Sequence, residues 1–137
     1  GIHVWVANRT KSKADAIAIE FAEMFEKAEI HSTGMENLGT GDILVNTTSI
    51  WTKNPEMEIA DLPYFCKTGY VKEFQTVMDI CYSPLETPLI KAAKRLGKNC
   101  ITGDKMLLHQ AIDQFELWTG KQPPEDVMRE ALEEGLR

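Results

Sequence analysis

Apolar residues arrive along this chain in two rhythms, short β-branched runs that end in polar turns and longer stretches spaced by three and four. The opening Ile2-His3-Val4-Trp5-Val6-Ala7 is a run of the first kind and predicts a buried strand before the turn Asn8-Arg9-Thr10. From Ser12 to Phe25, Ala14, Ile17, Ala18, Phe21 and Phe25 fall on one face of a helix that Thr10 or Ser12 can cap. Short strands are expected around 28–31 and 42–45, the second running into the polar Asn46-Thr47-Thr48-Ser49. The stretch from Trp51 to Gly69 holds no sustained period and predicts a loop with a short helix.

The second half repeats the alternation. Val77-Met78-Asp79-Ile80-Cys81 predicts a buried strand. Thr87-Pro88 then supplies an N-cap and a proline for the first helical position, Leu89, Ile90, Ala93 and Leu96 form the inner face, and Gly97 closes the helix. A strand over 99–102, a long helix over 105–118 and a terminal helix over 125–136 follow. Strands alternating with helices imply an α/β fold, a Rossmann-like doubly wound parallel sheet with helices on both faces and helices at the C-terminus.

Composition narrows the class. At 137 residues and 43% hydrophobic content, one domain spanning residues 1–137 is expected. The net charge of -6, with Lys and Arg scattered, excludes a general nucleic-acid or anionic-membrane surface. Cys66, Cys81 and Cys100 are odd in number and widely spaced, which predicts neither a disulfide framework nor a zinc site and fits a reducing cytoplasm. No apolar run reaches the roughly 18 residues of a membrane span, and no signal-peptide pattern opens the chain, so a soluble protein is expected.

In dinucleotide-binding folds an acidic residue at the end of the second strand holds the adenosine ribose of NAD, whereas a basic one accommodates the 2′-phosphate of NADP. The corresponding corner reads Asn8-Arg9-Thr10-Lys11-Ser12-Lys13 and holds no carboxylate. Arg9 offers a planar fork, Lys11 or Lys13 adds charge, Thr10 and Ser12 add hydroxyls, and the helix N-terminus adds its dipole. Those groups suit a phosphomonoester, while three solvated charges in an ordinary turn is the plain alternative. The glycine-rich turn that cradles a pyrophosphate belongs one strand earlier and is not in the sequence. Gly39-Thr40-Gly41 does not replace it, because position 44 is Leu and the segment precedes a strand.

A set of ordered motifs carries a resemblance. Asn8-Arg9-Thr10 and the Asn46 turn precede Asp79-Ile80-Cys81-Tyr82-Ser83-Pro84-Leu85-Glu86-Thr87-Pro88-Leu89, and Gly103-Asp104-Lys105-Met106-Leu107-Leu108-His109-Gln110 precedes Trp118-Thr119-Gly120. Together they resemble the NADP-binding C-terminal domain of shikimate dehydrogenases, without the N-terminal substrate domain or the glycine loop. The resemblance implies that Asn8, Arg9, Thr10, Lys11, Ser12 and Lys13 hold the adenosine end of NADP. It further implies that Thr48 and Ser49 line the cofactor path, and that Ile80, Gly103 and Met106 approach the nicotinamide. Tyr82 and Gln110 would reach the substrate, shikimate or 3-dehydroshikimate, an intermediate of the chorismate pathway to the aromatic amino acids.

The sequence departs from that pattern at Asp104 and Lys105, where an apolar residue and a second glycine are usual, and at Trp51 and Thr52, which stand for Gly-Met. These changes are expected to crowd the cleft. The resemblance assigns the proton-handling Lys and Asp to the other domain, so no catalytic residue is assigned to this chain and the isolated chain is expected to be inactive. His109 is read as a surface histidine, Lys105 as a solvated lysine, and Glu130, Glu133 and Glu134 as the wet face of the last helix. The alternative is a noncatalytic nucleotide-binding or interaction module derived from a dehydrogenase. A cut sheet would leave a strand edge open to the missing domain or to self-association.

Overall fold

The computed structural model describes residues 1–53 and 68–136. They form β1 (Ile2–Asn8), α1 (Lys11–Met24), β2 (Ala28–Gly34), β3 (Ile43–Asn46), α2 (Ile50–Lys53), α3 (Thr68–Val71), β4 (Thr76–Asp79), α4 (Pro88–Arg95), β5 (Asn99–Ile101), α5 (Gly103–Thr119) and α6 (Glu125–Gly135). Each described strand pair is parallel and joined through helix, as the sequence pattern requires of an α/β fold. The predicted loop from Trp51 to Gly69 falls mostly on residues 54–67, and these, Cys66 among them, lie outside the described residues. Contacts divide the chain into two compact units, Gly1–Thr40 and Gly41–Arg137.

The first unit is a β-α-β crossover in which β1 and β2 pair from Ile2↔Ala28 to Asn8↔Gly34. Only Ala14 and Ala18 of α1 are buried. Small residues at that spacing let the helix backbone lie close to two strands. Ile17, Phe21 and Phe25, expected on the same inner face, remain 40–50% exposed because two strands are too narrow to cover a full helical stripe. Nor is β1 the buried strand that its composition predicts: Ile2 is 69% and Trp5 55% exposed, since α1 is the sole helix of this unit. The N-cap falls at Thr10 as expected, but its hydroxyl makes no cap bond; its backbone N–H instead donates to Asn8 Oδ1 at 2.9 Å.

The second unit orders its strands β3-β4-β5, with β4 in the middle. Val77 on β4, Leu89, Ile90 and Ala93 on α4, Val71 and Trp51 are fully buried. Each of the larger side chains contributes roughly 1.5–3 kcal/mol relative to exposure. Thr87 caps α4 by accepting from the Ile90 N–H at 3.3 Å, Pro88 takes the first helical position, and Gly97 adopts φ +66° beyond the helix, all as read from the sequence. Leu96, counted with the inner face, is 37% exposed because it sits at the C-cap, where the helix has already ended. On α5 Leu108 is buried, while Ala111, Ile112 and Phe115 are half-buried. Glu130, Glu133 and Glu134 face solvent on α6, as expected.

Candidate nucleotide-binding site

In the first unit, α1 begins with Lys11-Ser12-Lys13 and has no acidic residue in its first turn. Cations at the positive end of a helix dipole are unfavourable unless an anion joins them. Arg9, Ser12 and Lys13 are exposed, and neither Arg9 nor Lys13 has a side-chain partner among the described residues. Lys11 differs: its ammonium lies 2.6 Å from Asp15 Oδ1, one turn further along. Asp15 also accepts from the Ser32 hydroxyl on β2. The Lys11 contact first, and Ser32 second, hold the Asp15 carboxyl below its ordinary value. A carboxylate thus stands beside the corner after all, committed to Lys11 and Ser32.

The second unit brings its polar groups to the C-terminal ends of parallel strands, the usual place for a ligand in this class of fold. Asp79, at the end of β4, is fully buried and accepts from four donors. Oδ1 takes Asn46 Nδ2 and the Cys81 N–H, each at 3.1 Å; Oδ2 takes Trp51 Nε1 at 2.7 Å and the Thr87 hydroxyl at 2.8 Å. Asn46 in turn accepts from the Thr48 N–H at 3.1 Å and the Thr48 hydroxyl at 2.8 Å. One carboxylate therefore fixes the ends of β3 and β4, the start of α4 and the indole of α2. The groove above it has a volume of about 510 Å³ and includes Thr48, Ser49, Ile80 and Tyr82 in its lining.

Gly103 starts α5 against the backbone that follows β4. A Cβ there would lie 2.3 Å from the Ile80 carbonyl oxygen and 2.5 Å from the Cys81 carbonyl, so no side chain fits. The next two residues form a local pair. Asp104 accepts from the Thr102 hydroxyl and lies 3.5 Å from the Lys105 ammonium. Burial pushes the Asp104 carboxyl up, but Thr102 and Lys105 outweigh it and the net direction is downward.

Over 120 residues, 88% of its length, the chain is 42% identical to shikimate dehydrogenase (NADP(+)) of Bartonella tribocorum. The chain is similar to the C-terminal part of shikimate dehydrogenases. It spans less than half the length of the curated relatives it matches, 40% in this case. The model of the shikimate 5′-dehydrogenase C-terminal domain matches residues 105–133. A crystal structure of a shikimate dehydrogenase in complex with NADP+ superposes on 98% of the chain and 47% of that protein, with a TM-score of 0.82 and 33% identity. Quinate dehydrogenase from Corynebacterium glutamicum in complex with NAD matches 92% of the chain and 44% of that protein, with a TM-score of 0.74 and 30% identity. The Rossmann-like fold class stands on these matches.

Against the shikimate dehydrogenase pattern, Asn8 to Lys13 gather at one turn and Thr48, Ser49, Ile80 and Tyr82 line one groove. Met106 and Gln110 share an exposed face of α5, outside that groove's lining, with Gly103 at the same helix's first position. His109 is exposed, as expected. Of the residues expected to crowd the cleft, Trp51 is among the lining of the groove and Lys105 is not. Trp51 is fully buried with its indole tied to Asp79, and Lys105 pairs with Asp104. The Thr52 side chain lies outside the described residues. Sequence reasoning missed Asp79; its one available signal was the combination of carboxylate, amide and capping threonine in the motifs themselves.

Proposed function

We propose that this chain forms the NADP-binding part of an oxidoreductase that interconverts 3-dehydroshikimate and shikimate. The observation that carries the reading is the 42% identity to a relative named for NADP(+), joined to an α1 N-terminus rich in cations and free of acid in its first turn. The donor set fits a phosphomonoester. Arg9 and Lys13 supply charge, Thr10 and Ser12 supply hydroxyls, and Asn8 shapes the turn through its bond to the Thr10 N–H. Lys11 contributes through Asp15, which holds its ammonium beside the turn.

At the other end of the cofactor, the reading assigns Thr48 and Ser49 to its path and Ile80, Gly103 and Met106 to the nicotinamide. Tyr82 and Gln110 go to the hydroxyl- and carboxylate-bearing ring of the substrate. A bound nicotinamide supplies the hydride chemistry. The residues of this chain bind and orient it, and the Asp79 network keeps the groove backbone in one conformation. No proton donor is assigned among them, and the reading leaves that role to the part of the relatives that the chain does not span. Free thiols at Cys81 and Cys100 accord with a cytoplasmic setting.

Calorimetric titration of NADP and of NAD into the 137-residue chain tests the reading. Loss of charged hydrogen bonds in Arg9→Ala should weaken NADP binding by about 1.5–3 kcal/mol, roughly 10- to 150-fold, and NAD binding by much less. Equal weakening for both cofactors, or no NADP binding by a folded chain, removes the phosphate role from this corner.

A further inference from the structure

The face of the first unit's sheet that carries Trp5 also carries His3 on β1 and Glu29 and His31 on β2. Parallel register sets His3 beside Glu29 and Trp5 beside His31, and the alternation of side chains along a strand puts Glu29 and His31 on the same face. Glu29 Oε2 lies 3.2 Å from His3 Nδ1 and 3.9 Å from His31 Nε2, and the three ligand atoms all fall within 4.8 Å of one another. The Trp5 ring stacks on the His31 imidazole, with centroids 4.6 Å apart and planes at 29°. That stack restrains one of the two rings that aim a nitrogen at the shared carboxylate.

We propose that His3, Glu29 and His31 bind a divalent transition-metal ion of the zinc type. Two imidazoles and a carboxylate are a donor set suited to such an ion, which accepts nitrogen and oxygen at about 2.0–2.2 Å. Ligand atoms around a tetrahedral ion at that distance stand about 3.3–3.6 Å apart. The two measured contacts to Glu29 bracket this spacing, and the remaining contraction needs only rotation of exposed side chains. Three protein ligands leave the fourth position to water. The ion clasps β1 to β2 on the face opposite the Asp15–Ser32 contact, so its binding stabilises the first unit. The site is independent of the nucleotide reading.

Zinc chloride is titrated into the metal-free 137-residue chain by calorimetry, with cobalt(II) as a spectroscopic probe. The expected result is one equivalent bound, at least about tenfold weaker binding in each of His3→Ala, Glu29→Gln and His31→Ala, and no change in His109→Ala. Cobalt should also broaden the His3 and His31 ring resonances in the unsubstituted chain, a readout that survives even if a variant fails to fold. Zinc should raise the melting temperature of the unsubstituted chain. Absence of binding, binding undiminished in all three variants, or thiolate-to-cobalt charge-transfer bands would overturn the proposal and leave an ordinary surface ion pair.

Discussion

The N-termini of α1 and α4 solve the same problem in opposite ways. At α4 the end is closed: Thr87 accepts from the Ile90 N–H, Pro88 removes a donor, and the Thr87 hydroxyl donates inward to Asp79. At α1 the end is open: Thr10 makes no side-chain cap bond, and Arg9 and Lys13 extend into solvent. The closed end commits its hydrogen bonds to stability, whereas the open end leaves its side chains to solvent. Residues that look equally polar in the sequence therefore have different energetic consequences.

Three measurements sharpen the contrast. The largest effect belongs to Asp79→Ala, which strands the Trp51 and Thr87 donors together with Asn46 Nδ2 and the Cys81 N–H. Urea unfolding should show a loss of about 3–5 kcal/mol, and a loss under about 1 kcal/mol would break the idea that this carboxylate organises the groove. Next comes Thr87→Val, which removes the cap and one of the four bonds to Asp79 and should cost about 1–2 kcal/mol. Arg9→Ala should leave stability within about 0.5 kcal/mol of the unsubstituted chain, and a larger loss would mean that the open corner carries structure as well.

The smallest effect is a pH dependence at Asp15. Lys11 and Ser32 lower its carboxyl in the folded state from the reference value of 3.8, so the unfolded chain binds more protons. The stabilisation is present above that reference value and disappears as pH falls through the lowered folded value. Carboxyl resonances followed by NMR should show the Asp15 titration moving back up in Lys11→Met. An unmoved titration would assign the shift to Ser32 instead.

Periodicity and capping rules located the described strands and the longer helices to within a few residues, because those signals are local. Thr87-Pro88 and Gly97 were legible for the same reason. Depth was not. The run Ile2 to Ala7 has the composition of a buried strand, yet burial depends on how many helices cover it, which no local window records. Networks were equally hidden. Asn46, Trp51 and Thr87 stand 33, 28 and 8 residues from Asp79, and they converge only because parallel strands end side by side. The pairing of His3 with Glu29 likewise depends on a register that spacing alone cannot give.

The backbone-to-backbone seat of Gly103 also has a mechanical side. It makes the first residue of α5 a fulcrum and the 17-residue helix a lever about 25 Å long. A tilt of roughly 5° about that point would swing Trp118 through about 2 Å but shift Gln110 by less than about 1 Å. A displacement of the far end about that point is therefore geared down near the short end, where Met106 and Gln110 stand.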